Sequence, residues 1–439
     1  MKIAVVGMGF VGATVAAGFA EKGHDVVGIE NNPERYDSFR NGIVPFFEPH
    51  LEPLVQKNLA EGRLRIVQNT EEGIQDPALE VILLAVGTPP KEDGRPDLKY
   101  MKIAATEIAK SLDHHVVIAE KSTVPIRTGE WLKKVLGEHI KCDFDIAACP
   151  EFLRESTAVY DFFNPDRIVI GTETEQAYET LRRLYRSIGD NVNILPRMTV
   201  ADAEMTKHSS NMRLYLELAV TYLMSQTGDA LGFNCERVLY AMGMDHRIGP
   251  YFKKPGPGAG GFCLRKDLEA LISICRDAGI DTGLFEQIIK IDDSQRRYVV
   301  DKVEKMLGGD LNGRRVGVLG LSFKKDTSDV RYSPAIDIIQ MMQHKGAKII
   351  AYDPKAMNEA RKILPGIMYC GDAYEVAGKS EVLAVLTEWD EFTNLNKMRI
   401  KEGTNKIVDA RNIFDPVIMK QLGFEYDSLG RPMKSYAAQ

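Results

Sequence analysis

The sequence predicts an α/β protein of two doubly wound, parallel-sheet domains, joined by a long central helix and a helical dimerisation region. Three observations predict it. Short apolar runs such as residues 2–6, 81–86 and 315–320 recur in both halves of the chain, as buried parallel strands require. The first of them ends in Gly7-Met8-Gly9-Phe10-Val11-Gly12. Between the two halves, from Thr199 to about Gly243, the periodicity turns helical and long. The expected division is 1–198, 199–310 and 311–439.

Bulk properties narrow the function. A chain of 439 residues suits two or three domains, and 44% hydrophobic with 27% charged residues is ordinary for a soluble globular protein. A net charge of -6 without a basic tail argues against nucleic acid as a partner. The six cysteines (142, 149, 235, 263, 275, 370) are scattered, which suits a reducing compartment better than a disulfide framework. No CxxC or His/Cys cluster has metal spacing, so no metal is expected. Ile3 to Ala20 carries no charge and follows Lys2, the look of a signal peptide or membrane span. Gly7, Gly9, Gly12 and Gly18 interrupt it, and a strand, turn and helix explain them better. A cytoplasmic protein without membrane contact is expected.

Taken in order, residues 2–6 form a strand, an amphipathic stretch runs to Lys22, and Asp25 to Ile29 is a second strand ending at Glu30. This is the context in which GxGxxG binds a dinucleotide, and it makes the first domain Rossmann-like. Gly7 makes the tight turn, Gly9 lets a pyrophosphate approach, and Gly12 allows close helix–strand packing. The helix N-terminus offers its unpaired N–H groups to the phosphates. Glu30 would accept from ribose hydroxyls and repel a 2′-phosphate, which selects NAD over NADP.

Three later strands end alike. Val81–Val86 runs into Gly87-Thr88-Pro89-Pro90, His115–Ala119 into Glu120-Lys121-Ser122-Thr123-Val124-Pro125, and residues 144–148 into Cys149-Pro150-Glu151-Phe152-Leu153-Arg154-Glu155. Hydroxyls and carboxylates thus reach one rim of the sheet, where such folds bind ligands. Helix capping by Ser, Thr or Glu is the competing explanation for each.

In the central stretch Lys207 and Asn211 share a helical face with i, i+4 spacing, although a solvated lysine would look the same. The long helix is also a natural dimer surface. From Gly243 to Leu271 the chain is rich in glycine and proline and holds one cysteine. Cys263 directly follows Pro255-Gly256-Pro257-Gly258-Ala259-Gly260-Gly261. Such a run can wrap a bulky polar substrate, and Arg265 and Lys266 could favour a thiolate at its end. Asp267, one turn on, could act as a base. An inert buried cysteine beside a flexible loop is the alternative.

The third region starts afresh at Arg315–Gly320, with a helix from about Pro334, a strand Ala347–Tyr352, and strands at 381–386 and 405–409. Its turn, Gly317-Val318-Leu319-Gly320-Leu321-Ser322-Phe323-Lys324, lacks GxGxxG. A nucleotide ligand other than NAD is expected there, with Lys324 as a phosphate counter-charge. The tail after Phe424 shows no periodicity and is expected to be loosely ordered.

Together these residues resemble the nucleotide-sugar 6-dehydrogenases, the UDP-glucose/GDP-mannose dehydrogenase family. The resemblance covers nearly the whole chain. It rests on Gly42-Ile43-Val44-Pro45-Phe46-Phe47-Glu48-Pro49, Val86-Gly87-Thr88-Pro89, Lys121-Ser122-Thr123-Val124-Pro125 and Pro150-Glu151-Phe152-Leu153-Arg154-Glu155. Gly243-Met244-Asp245 with Arg247-Ile248-Gly249, the Cys263 loop, Phe323-Lys324-Lys325-Asp326-Thr327 with Asp329-Val330-Arg331, and Thr387-Glu388-Trp389 add to it.

The resemblance implies an NAD-dependent, four-electron oxidation of a nucleotide-sugar C6 hydroxyl to a carboxylate, of the UDP-glucose to UDP-glucuronate type. Cys263 would be the nucleophile that forms a thiohemiacetal and then a thioester. Asp267 matches the catalytic aspartate, Lys207 and Asn211 the oxyanion pair, and Glu151 the acid/base of hydrolysis. Thr123 and Glu155 would border the nicotinamide and the water. Phe10, Val11, Glu30, Arg35, Thr88, Lys266 and Arg331, with the three glycines, match the NAD site. The nucleotide sugar would be held by Glu151, Phe152, Leu153, Arg154, Glu155, Lys207 and Asn211. Phe252, Lys253, Lys254, Pro255, Gly256, Gly260 and Lys324 complete that set, and Arg247 would reach the sugar of a neighbouring subunit. A homodimer or higher homo-oligomer is implied.

The chain departs from the family pattern in places. Ala259 replaces an aromatic residue, Phe262 a serine, Arg265 a proline and Ser156 a glycine. Arg213, Tyr215 and Glu217 stand for an apolar residue, alanine and lysine, and Tyr222-Leu223 replaces Asn-Glu. These positions leave a UDP-N-acetylhexosamine, a UDP-galactose-like sugar or GDP-mannose open beside UDP-glucose. A two-electron β-hydroxy acid dehydrogenase would need neither Cys263 nor the second nucleotide domain. A non-catalytic nucleotide-sugar binder would have no reason to keep Cys263, Asp267, Lys207 and Asn211 together.

Overall fold

The computed structural model describes residues 1–436 other than 92 and 253. The chain forms two compact units that use it in alternation: Met1–Asn211 with Lys266–Asp281, and Met212–Arg265 with Thr282–Gln439.

The first unit is built on β1 (Lys2–Val6), β2 (Asp25–Ile29), β3 (Leu64–Val67), β4 (Leu79–Leu84), β5 (Val116–Glu120), β6 (Phe144–Ala148) and β7 (Gly171–Thr172). Their order is β3-β2-β1-β4-β5-β6-β7, parallel except for β7, which runs antiparallel to β6. In register, Val5 lies between Gly28 and Leu83. The strands are mostly apolar, with charged residues such as Lys2, Asp25 and Glu120 at their ends, because helices cover both faces. Ile3, Val5, Leu83 and Val117 pack in one core with Ala13 and Ala17 of α1 (Phe10–Glu21). Ala4, Val6, Ile82 and Ile118 belong to the opposite core with Met101, Ala105 and Ile108. The order reverses between β1 and β4, the switch point at which doubly wound sheets bind ligands. The ends of β4, β5 and β6 lie on adjacent strands, so the three hydroxyl- and carboxylate-bearing loops do share one rim.

Helix α2 (Val200–Leu231) contributes residues to both units. It ends at Gly232, whose φ of +86° only glycine adopts without strain. Asn234 then caps α3 (Cys235–Gly243) by accepting from the Arg237 N–H, which splits the long helical stretch in two. Helix α4 (Phe262–Asp277) also serves both units.

In the second unit α5 (Gly283–Met306) and α6 (Pro334–His344) accompany β8 (Arg315–Leu319), β9 (Lys348–Tyr352), β10 (Met368–Tyr369), β11 (Val382–Val385), β12 (Lys406–Asp409) and β13 (Glu425–Ser428). The order β10-β9-β8-β11-β12-β13, all parallel, repeats the doubly wound plan of the first six strands. The expectation of a loose tail after Phe424 is overturned. Residues 425–428 pair with β12 in register, Lys406 with Glu425 through Asp409 with Ser428. Leu429 is fully buried, and Arg431 donates to the Phe414 carbonyl and the Tyr426 hydroxyl. An edge strand has one ladder side and no need of an apolar run, so Glu-Tyr-Asp-Ser carries no periodic signal.

Candidate active site

The Gly7–Gly12 turn of the first unit is tight. Gly7 has φ +93°, and a Cβ on Gly12 would stand 1.8 Å from the Gly7 carbonyl oxygen. A Cβ on Gly9 would meet nothing within 4 Å, so open space faces this residue. Gly9 is the N-cap of α1 and makes no side-chain cap, which leaves Phe10, Val11 and the first turn to present N–H groups. Glu30, buried at the end of β2, accepts from the Asn32 N–H (3.0 Å) and from Arg35 Nε (3.2 Å). Arg35 also donates to the Met8 carbonyl at 2.7 Å, tying the acid to the glycine turn. An open glycine cradle at an uncapped helix start, followed by a fixed acid, fits an adenine dinucleotide with free ribose hydroxyls.

On the rim, Thr88 Oγ1 donates to the Thr123 carbonyl at 2.9 Å and Ser122 Oγ to the Val86 carbonyl at 2.6 Å. The loops after β4 and β5 are therefore laced together, and neither hydroxyl caps a helix. Glu155 precedes Ser156, which has φ +65°, where the family pattern has glycine. Glu48 holds this turn by accepting from the Ser156 and Ala158 N–H groups at 2.7 and 2.8 Å. Sequence reasoning gave Glu48 no role, and nothing local announces a contact 108 residues away. Arg154 is clamped to Asp161 through Nε and Nη2.

Behind this rim the first unit holds a buried polar cluster. Lys207 is 5% exposed, which overrules the solvated-lysine alternative, and its Nζ donates to the Glu151 carbonyl (2.8 Å) and carboxylate (3.0 Å). The same carboxylate accepts from the Leu153 N–H, and the Phe152 ring lies under Lys207 with Nζ 5.4 Å from its centroid. One turn along α2, Asn211 Nδ2 donates to Asp267 Oδ2, and Lys266 Nζ donates to Oδ1 at 2.6 Å. His208, fully buried and unremarked in the sequence, bridges the Val124 and Asp267 carbonyls. Burial lowers the Lys121 pKa, and its Nζ donates to the Tyr185 hydroxyl at 3.1 Å. Burial pushes the Cys149 thiol up to about 12. At the end of β5, burial and the charge of Glu204 hold Glu120 well above the usual carboxylate range. Ammonium, amide and carboxylate groups are thus preset in a dry environment, the arrangement that stabilises developing oxyanions.

The second unit holds the glycine-rich loop. Phe252 has φ +54° and its carbonyl accepts from Thr221 Oγ1. Lys253 lies outside the described residues, and Lys254 is exposed. Pro255 through Ala259 are buried, and a Cβ on Gly260 would meet Phe323 at 2.5 Å. Cys263 follows in the first turn of α4 and is exposed, so the inert buried alternative falls. Arg265 pairs with Asp293 at 2.6 Å and Lys266, as above, with Asp267, so both cations expected to favour a thiolate are engaged by carboxylates. Arg331 forms a two-point pair with Asp329, and its guanidinium lies 5.2 Å from the Phe262 centroid. Lys324 Nζ stands 5.5 Å from the Phe323 ring. Arg247 is exposed and doubly bonded to Asp245. Among the described residues no group of three His, Cys, Asp or Glu could hold a metal ion. No described helix is long and apolar enough to cross a membrane.

Comparison with known proteins agrees with this layout. Three segments match the UDP-glucose/GDP-mannose dehydrogenase family: its NAD binding domain over residues 1–189, its central domain over 201–294 and its UDP binding domain over 317–416. A UDP-glucose 6-dehydrogenase of Rhizobium meliloti (strain 1021) is 37% identical across 98% of this chain and 100% of its own length. The structure of a UDP-glucose dehydrogenase from Pyrobaculum islandicum superposes with a TM-score of 0.89 at 34% identity, covering 94% of each chain. That of a UDP-D-ManNAc dehydrogenase from Pyrococcus horikoshii gives 0.85 at 25% identity, covering 98% of this chain and 99% of the other. With a dinucleotide cradle, a buried catalytic-type cluster and a second doubly wound domain all matched along its length, the chain belongs to the UDP-glucose/GDP-mannose dehydrogenase family.

Proposed function

We propose that this protein oxidises the C6 hydroxyl of UDP-glucose to the carboxylate with two equivalents of NAD, holding the aldehyde throughout. The observation that carries the reading is the buried pairing of Lys207 with Glu151 and of Asn211 with Asp267. Bound NAD supplies the hydride acceptor for both oxidations. Gly7, Gly9, Phe10, Val11, Gly12, Glu30, Arg35 and Thr88 would hold it, with Thr123, Glu155, Lys266 and Arg331 as further contacts.

Asp267 takes the C6 hydroxyl proton as the first hydride leaves. The Cys263 thiolate then adds to the aldehyde carbon, and the carbonyl π pair moves to oxygen to give a thiohemiacetal. Loss of the second hydride leaves a thioester, and one water, deprotonated by Glu151, displaces the thiolate to give the uronate. The Lys207 ammonium and Asn211 amide donate to the oxyanion of both tetrahedral species. A donor of this kind is worth about 10²–10³ in rate. Phe252, Lys253, Lys254, Pro255, Gly256, Gly260 and Lys324 grip the nucleotide sugar, and Phe152, Leu153 and Arg154 line the sugar end.

We assign 1–198 to NAD binding, 199–310 to dimerisation and the cysteine loop, and 311–439 to the nucleotide sugar. Exposed Leu214, Val220, Leu223 and Leu231 on α2, with Tyr240 on α3, support a homodimer in which Arg247 reaches the neighbour's sugar. That no disulfide joins the described cysteines supports a reducing, cytoplasmic setting.

The test is NADH formed per sugar consumed, with UDP-glucose, UDP-N-acetylglucosamine, UDP-N-acetylmannosamine, UDP-galactose and GDP-mannose, for the native protein and Cys263→Ala. Two NADH per UDP-glucose, lost in the variant, is expected. The likeness to the UDP-D-ManNAc dehydrogenase favours UDP-N-acetylmannosamine as the second candidate. One NADH per sugar, indifferent to the variant, would overturn the thioester route. NAD binding without turnover on any sugar would favour a binding protein.

A further inference from the structure

The glycine-rich loop of the second unit is held from behind by one helix. Asp292 of α5 is fully buried, and its Oδ1 accepts from the Ala259 N–H at 2.6 Å. Its Oδ2 accepts from the Tyr215 hydroxyl at 2.7 Å and from Arg296 Nη1 at 2.6 Å. Arg296, one turn further along α5, returns to the same loop residue and donates from Nη2 to the Ala259 carbonyl at 2.8 Å. Both main-chain groups of Ala259 are thereby consumed by a single buried ion pair. Gln295 adds a bond to the Gly256 carbonyl at 2.9 Å. On the far side of Cys263, Arg265 ties α4 to Asp293 of α5 at 2.6 Å. The cysteine is bracketed by anchors four residues before it and two after, all on one turn of α5.

The chemistry of the pair favours permanence. Burial, then the charge of Asp292, pushes the Tyr215 phenol upward, so it stays a donor. Burial opposes the charge on Arg296, and the Asp292 and Asp337 carboxylates outweigh it. Breaking one partner would leave a buried charge short of a hydrogen bond, which is costly. A run with glycine at 256, 258, 260 and 261 would otherwise lose much backbone freedom on closing around a ligand. Tyr215, Ala259 and Arg265 are all departures from the family pattern, and all three contact α5 through neighbouring aspartates.

We infer that Tyr215, Asp292 and Arg296, with Arg265 and Asp293, are positioning residues that preset the nucleotide-sugar loop and Cys263 before substrate arrives. The inference rests on the reading of this loop as the nucleotide-sugar grip. Its signature is substrate affinity and thiol presentation changing together while NAD binding stays fixed.

The experiment uses the full chain with Tyr215→Phe, which removes one hydroxyl, and Arg265→Gln, which removes the second anchor. UDP affinity is measured by calorimetry, NAD affinity by fluorescence titration, and Cys263 exposure by its carbamidomethylation rate with iodoacetamide, with thermal unfolding alongside. Each variant is expected to bind UDP about fivefold more weakly and to alkylate at Cys263 about fivefold faster, with NAD affinity unchanged. UDP affinity and alkylation within twofold of native in both variants would overturn the inference. So would losses that track a drop in melting temperature and extend equally to NAD. None of these readouts needs turnover. If native protein fails to bind UDP, the reading of the loop falls, and the alkylation rates still decide whether the clamp presets Cys263.

Discussion

Cys149 and Cys263 carry one functional group in opposite environments. Cys149 closes β6 in a core that keeps it a neutral thiol, whereas Cys263 stands exposed in the first turn of a 16-residue helix, where the helix dipole favours an anion. Spacing alone could not separate them; the glycine run before Cys263 and the acid one turn after it did. Lys207 was harder to read, because a lysine at i, i+4 from an asparagine is the usual solvated pattern and its partner Glu151 is 56 residues away. Glu120 yields a prediction at this scale. Its pKa is raised in the fold, so the folded protein holds that proton more tightly than the unfolded chain does. Its contribution to stability is therefore present below the ordinary carboxylate value near 4.5 and is lost as pH rises above it toward the raised folded value. Urea unfolding of Glu120→Gln is expected to decline less between pH 5 and 8 than that of native protein. A decline as steep as the native one would refute the assignment.

At the level of elements, the inner strands β1, β2, β4, β5, β6, β8, β9, β11 and β12 were legible as apolar runs, and the edge strands β3, β7, β10 and β13 were not. The glycine turn shows how one motif divides its labour. Gly12→Ala would drive a Cβ into the Gly7 carbonyl between two backbone segments, a clash that cannot relax cheaply. It is expected to cost about 3 kcal/mol of stability along with NAD binding. Gly9→Ala places its Cβ in open space at φ -69°, an ordinary backbone value. Thermal unfolding of that variant should match native protein while NAD titration shows weakened binding. Equal loss of stability in both would mean that Gly9 serves packing rather than a ligand. The roles expected of these glycines each rest on the absence of a single atom, which is why a sequence can carry them. Sequence reading missed the break after α2, where Gly232-Phe233-Asn234 is too short to disturb an 18-residue window.

Over the whole molecule the two doubly wound sheets and the long helix were visible in the chain, and the distribution of the chain between compact units was not. Sequence reading assigns contiguous blocks, yet the first unit takes back residues 266–281 after the chain has left it. Those residues bring Asp267, the partner of Asn211 and, through its carbonyl, of His208. During synthesis at roughly 5–20 residues per second, Asn211 emerges some 4–14 s before Asp281. For that interval the inner face of α2 waits with buried-type polar groups still open to water. Nascent chains stalled with 211 residues outside the ribosome are expected to be cut within α2 by a pulse of protease, and those with 281 outside to resist. Equal resistance at both lengths would show that the early segment closes unaided. The buried cluster therefore doubles as a timer: the proposed catalytic aspartate is also the part whose late arrival lets the first unit finish folding.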